Sequence, residues 1–268
     1  MSPDQANNVL VFQPIDFLPL WAVYILSVAA LLLASEAGYH LSKVIQRYRP
    51  DRAESSVGAL NGATLALLAF VMAFVTGIAV NNYSARRQAV VAEANAIGTA
   101  YLRAGYLPDP YGSESRQLLR EYVHQRLEAV DVSKTAQAIV RSEEIHSELW
   151  RRAETLAQES SSPTLALYIA SLNEVIDLHT DRVNVALVSR LPWAIVLGLF
   201  LMGILALVQV GLHAGYADRR NPVALLAFVL TLSVVFLLIV DLGRGQEGLL
   251  TVSNQAMIDL QRQLGPPQ

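Results

Sequence analysis

Charge is withheld from four long blocks of this chain and concentrated between them. No Asp, Glu, Lys or Arg falls in residues 17–35 (19 residues), 57–82 (26), 191–217 (27) or 221–240 (20). A hydrocarbon core of about 30 Å takes about 20 helical residues at ~1.5 Å each, so every block is long enough to span it. Buried helices of soluble proteins seldom stay charge-free that long, and four such blocks predict four transmembrane helices. The first is not read as a cleavable signal, because residues 1–16 contain no basic residue.

Between the second and third blocks the period changes to that of amphipathic helices. Val90, Ala94, Ile97, Tyr101 and Ala104 make one apolar stripe. Pro108, Pro110 and Gly112 break it, and Ser113 is placed to cap the next helix. Leu119, Tyr122, Leu127 and Val130 make a second stripe; Ile139, Ile145, Leu149, Ala153 and Leu156 a third. After the turn at Ser160, Ser161, Ser162 and Pro163 comes a fourth: Leu165, Ile169, Leu172, Ile176, His179, Val183 and Ala186. Nothing breaks the chain between Val80 and Arg86, so the first of these helices should continue the second span. The fourth should run into the third span, with Pro192 near the junction. The expected organisation is an N-terminal tail (1–16), two spans (17–82), an extramembrane four-helix bundle (83–190), two more spans (191–242) and a C-terminal tail with a short amphipathic helix (243–268). The fold class is all-α.

Composition sharpens this picture. The chain is 53% hydrophobic and 16% charged, against roughly 25% charged in soluble domains. Residues 83–190 carry 12 basic and 14 acidic side chains, near the soluble norm. With no Cys, disulfide scaffolds, thiolate metal sites and thiol nucleophiles are excluded. A net charge of −3 offers no basic footprint for nucleic acid. The partners expected are the lipid bilayer, further copies of the chain and inorganic ions.

The short loops give an orientation. Lys43, Arg47, Arg49 and Arg52 join spans one and two, and Arg219 and Arg220 join spans three and four. That face should be cytoplasmic, leaving both termini and the bundle on the non-cytoplasmic side of an inner membrane. Arg86, Arg87, Arg182 and Arg190, close to span ends, argue the other way.

Span two holds the clearest candidates. Gly58, Gly62 and Ala66 recur every fourth residue, as do Ala69, Ala73 and Gly77, a spacing that lets helix backbones approach in lipid. Ala30, Ala34 and Gly38 add small positions to span one. Both packing inside the chain and packing between copies fit. Asn61 and Thr64 are polar at membrane depth and are candidates for a wet path or for an interhelical hydrogen bond. Phe70 and Phe74 lie one turn apart. At span ends, Glu36, His40, His213, Asp241 and Arg244 suit the wet interface, and Asp241 and Arg244 are spaced to pair.

The stretch NYSARRQAVVAEANAIGTAYLRAGYLP (82–108), its lead-in GALNGATLALLAFVMAFVTGIAV and the closing DLGRGQEGLLTVSNQAMIDL resemble the bacterial bestrophin-like family of membrane proteins. The family's closing pattern, an Asp-Arg-Pro-Phe-like run before Gly, is met only in part by Asp241, Leu242, Gly243, Arg244 and Gly245. The resemblance implies a distant likeness to bestrophins, oligomeric anion channels with four spans per subunit and a pore lined by the second span. It also implies cytoplasmic termini, against the loop charges. No calcium-binding acidic cluster carries over, and no cofactor is expected.

Catalytic signatures are missing: no phosphate-cradling glycine loop, no G-x-S-x-G elbow and no H-E-x-x-H. Glu121 with His124 and Glu143 with His146 have a spacing used by di-metal bundles, with Glu93 and Asp177 as further carboxylates. The order of these elements along the chain is wrong for that, so they are read as solvated faces and the chain as no enzyme. His179, on an apolar stripe, reads as a satisfied core histidine. Two functions stay open: an oligomeric ion channel, and a non-conducting sensor or scaffold whose bundle binds a partner.

Overall fold

The computed structural model describes residues 18–48, 54–131, 133–187, 191–218, 220–244 and 248–266. Among these, every regular element is an α-helix: α1 Leu20–Tyr48, α2 Glu54–Ala104, α3 Tyr111–Glu128, α4 Thr135–Glu159, α5 Pro163–Leu187, α6 Trp193–Tyr216, α7 Pro222–Gly243 and α8 Gln255–Leu264. Four are long and apolar enough to cross a membrane: α1, α2 from Gly58, α6 and α7.

The helix ends obey local chemistry, with some departures from expectation. α2 runs 51 residues without a break, as the lack of a breaker after Val80 predicts. The matching expectation for the fourth stripe fails. α5 ends at Leu187 and α6 begins at Trp193, capped by an extended Pro192 (φ −56°, ψ 131°). Proline lacks an N–H and disfavours helix in the residue before it, so α5 and α6 are separate helices. Ser113 does not cap α3. That helix starts earlier, at Tyr111, and the Ser113 hydroxyl donates to the Pro110 carbonyl at 3.0 Å. Val130, expected on the second stripe, lies past the end of α3 and is exposed. Lys43 and Arg47 belong to α1 rather than a loop. Arg49, Arg52, Arg190, Arg219 and the tail 1–16 lie outside the described residues.

The chain divides into two compact units. The apolar unit comprises Phe12–Asn81 and Leu191–Leu250. Its core is aliphatic, with Leu31, Leu68, Leu199, Leu207 and Ile239 buried and Phe200 stacked on Phe236 at 4.5 Å. α1 and α6 pack with their backbones close together. A Cβ on Gly38 would overlap the Val208 carbonyl, and one on Gly211 the Ser35 carbonyl, so only glycine permits that approach.

The polar unit comprises the described residues within Asn82–Arg190 and Thr251–Gln268. Its core takes Ile97 and Ala100 from α2, Leu119 and Tyr122 from α3, Ile145 and Leu149 from α4, and Tyr168 and Leu172 from α5. Most of these are residues of the four stripes. Met257 and Leu260 of α8 join the same core. The C-terminal segment is further held by the Arg120 Nε bond to the Leu264 carbonyl at 2.7 Å.

Candidate functional site

Span two is not symmetric about its axis. Leu68, Met72, Val75 and Ala79 of α2 form its buried stripe in the apolar unit. At about 100° per residue, Phe70, Phe74 and Gly77 fall on the opposite side, with Gly62 on the flank between. Phe70 is 70% exposed and Phe74 65%. A Cβ built on Gly62 or on Gly77 meets nothing within 4 Å among the described residues. The close backbone approach falls instead at Gly38 and Gly211. Gly203, Gly211 and Gly215 of α6, spaced by eight and four, carry in the sequence the same small-residue signal as span two.

The remaining candidates of span two lie elsewhere. Asn61 and Thr64 fall on the side of the buried stripe, away from Phe70 and Phe74. Gly58 faces His213, whose Cε1 would be 3.2 Å from an added Cβ. Glu36 bonds Arg220 at 2.9 Å. Asp241 and Arg244, expected at a wet interface, are both buried. Asp241 accepts from the backbone N–H groups of Leu249 (2.9 Å) and Leu250 (3.0 Å), and Arg244 donates to the Leu18 carbonyl at 2.6 Å. Each restrains the backbone at an end of the apolar unit.

A second constellation lies inside the polar unit. The Glu93 carboxylate is fully buried. Tyr122 donates to its Oε1 and Arg182 to its Oε2, each at 2.5 Å. Arg126 Nε stands 3.0 Å from Oε1, a charge contact rather than an aligned hydrogen bond. His179 Nδ1 lies 3.0 Å from the Tyr122 hydroxyl, and the His146 ring packs on Tyr122 and His179 at 4.6 and 4.9 Å. Burial favours the neutral acid, but Arg126, the His179 contact, Arg182 and Tyr122 outweigh it and hold Glu93 well below the usual carboxylate range. Burial, aided by His179, brings His146 down to about 3, and burial also lowers His179. The histidines are neutral at pH 7, and the cluster pins α2, α3, α4 and α5 together. Of the metal-type residues considered, Glu93 and His146 meet here, whereas Glu121 bonds Arg141 and Asp177 bonds Asn173. Arg126 shares its face with Tyr122 one turn earlier. A charged residue on an apolar stripe is the signal that marks this cluster in the sequence.

A family model, that of the bestrophin-like domain, matches residues 28–257. The chain belongs to the bestrophin-like family. Among solved structures, a single-residue variant of a bacterial bestrophin homolog from Klebsiella pneumoniae has a TM-score of 0.66 at 14% identity, covering 91% of this chain and 97% of its own. A further structure of the Klebsiella pneumoniae homolog gives 0.64 at 13% identity, covering 90% and 96%. At such identities the likeness is one of fold. No curated protein matches. With four span-length helices and this family membership, the chain is a bestrophin-like membrane protein.

Proposed function

We propose that this bestrophin-like chain is one subunit of an oligomeric ion-conducting pore lined by the face of α2 that bears Gly62, Phe70, Phe74 and Gly77. The observation that carries this reading is that face: two large aromatic side chains one turn apart, exposed, with glycines to either side at which an added Cβ would meet nothing within 4 Å among the described residues. Several copies around an axis would bring the phenylalanine rings together as an apolar constriction, a geometry that gates ions by dewetting. Glycine at 62 and 77 leaves room on either side of it. In this reading the pinned polar unit serves the pore as a scaffold. Arg86 and Arg87, directly after span two, join the family likeness in favouring a cytoplasmic polar unit and C-terminus in an inner membrane, against the loop charges.

Planar-bilayer recording of the purified protein tests the reading. Ion currents are expected; their absence across ions, pH and voltage would leave the scaffold function instead.

A further inference from the structure

The apolar unit contains a cavity of about 840 Å³ bounded by residues of α1, α2, α6 and the start of α7. Its lining divides by chemistry. Leu65, Leu225 and Phe228 make an apolar side, while Glu36 and Arg220 supply one charge of each sign. The Arg220 guanidinium bonds Glu36 at 2.9 Å and lies over the Tyr39 ring at 3.4 Å. Two more atoms of lining residues, Asn61 Oδ1 and His213 Nδ1, are buried and have no hydrogen-bond partner among the described residues. Leaving such atoms unsatisfied is unfavourable by about 1–3 kcal/mol each, so they call for an occupant with polar hydrogens.

Charge and donor count narrow the occupant. The Glu36–Arg220 pair has no net charge, so a neutral molecule bearing both signs can take its two partners without stranding either. An anionic group alone would sit against Glu36. Asn61 Oδ1 and Glu36 are both acceptors, which calls for N–H donors; a trimethylammonium has none, a primary ammonium three. The apolar side fits a hydrocarbon chain, which a membrane supplies. We propose that the cavity binds one phospholipid with a primary-ammonium zwitterionic headgroup, its phosphate on Arg220, its ammonium on Glu36 and Asn61, and an acyl chain along Leu65, Leu225 and Phe228. This assignment does not depend on conduction.

Native mass spectrometry of the delipidated full-length protein tests it, by titration with phosphatidylethanolamine, phosphatidylcholine and phosphatidylglycerol of identical chains. The expected result is one phosphatidylethanolamine per protomer, bound at least tenfold tighter than the other two. Arg220→Gln and Asn61→Leu should each remove that preference. Arg220 is half-exposed, so its variant keeps the fold, which an unchanged oligomer mass verifies. Ala224→Trp should fill the cavity and abolish retention at unchanged oligomer mass. Equal retention of the three lipids, or wild-type preference in Arg220→Gln, overturns the proposal. So does equally tight binding of chain-free phosphoethanolamine, which would make this a small-molecule site. Dissociation of the oligomer by Ala224→Trp overturns it too, by giving the cavity to a neighbouring copy.

Discussion

Glu93 shows how one residue can organise a unit. Its carboxylate neutralises part of a nest holding two guanidiniums, and it is the shared partner of Tyr122, Arg126 and Arg182. Glu93→Gln leaves two buried cations without a counter-charge, which should cost about 3–5 kcal/mol. Thermal unfolding followed by the fluorescence of Trp150, within the same unit, would show a markedly lower midpoint; an unchanged one would refute the pinning role. His146 adds a pH dependence. Its folded pKa of about 3 lies below its ordinary 6.5, so the unfolded chain takes up a proton that the folded chain refuses. Stability is then full above pH 6.5 and declines as pH falls, by at most about 1.4 kcal/mol per unit. The Glu93 contribution, from a lowered carboxylate pKa, is lost only below about 4.5. Melting temperatures at about pH 7, 6 and 5 should therefore drop in the wild type and stay flatter in His146→Gln. Arg126 on the face of Tyr122 marks the cluster in the sequence, but its pairing is hidden there because the hydrogen-bond partners of Glu93 lie 29 and 89 positions away. His179 is readable as a core histidine because it shares a stripe with Leu172 and Ile176.

At the scale of the element, α2 and α6 divide the labour of small residues. The charge-free runs make the spans legible, since length and lack of charge are properties of one segment. Which glycines approach another backbone depends on a second segment, so Gly62 and Gly211 look alike until the partner is seen. Gly211→Val should place a side chain against the Ser35 carbonyl and destabilise the apolar unit, read as loss of folded protein on size-exclusion chromatography. The same chromatography on Gly198→Val, on the same helix and with nothing within 4 Å of an added Cβ, should show a normal peak. For α2, Phe70→Ala with Phe74→Ala should widen the constriction and raise single-channel conductance several-fold. Unchanged conductance would remove the aromatic pair from the pore. The non-helical backbone at Leu191 and Pro192, just before α6, is a local effect of that proline and is legible from it.

For the whole molecule, the exposed α2 face is meaningful only with further copies. Gly62→Leu fills space that no described residue occupies within 4 Å of an added Cβ, and should reduce the oligomer mass measured by light scattering. An unchanged mass would place that glycine away from any interface. A reporter fused at the C-terminus tests the orientation: cytoplasmic activity is expected, and periplasmic activity would restore the reading from loop charges.

The placement of α8 sets an order in time. Met257 and Leu260 complete the core that residues 82–190 begin, yet they are translated only after α6 and α7. While the ribosome is still delivering the last two spans, that core lacks one wall and its apolar stripes stay uncovered. Maturation of the polar unit is therefore a late, post-insertion event. A nonsense mutation just before Gln255 should yield a chain that enters the membrane and is then cleared by proteolysis.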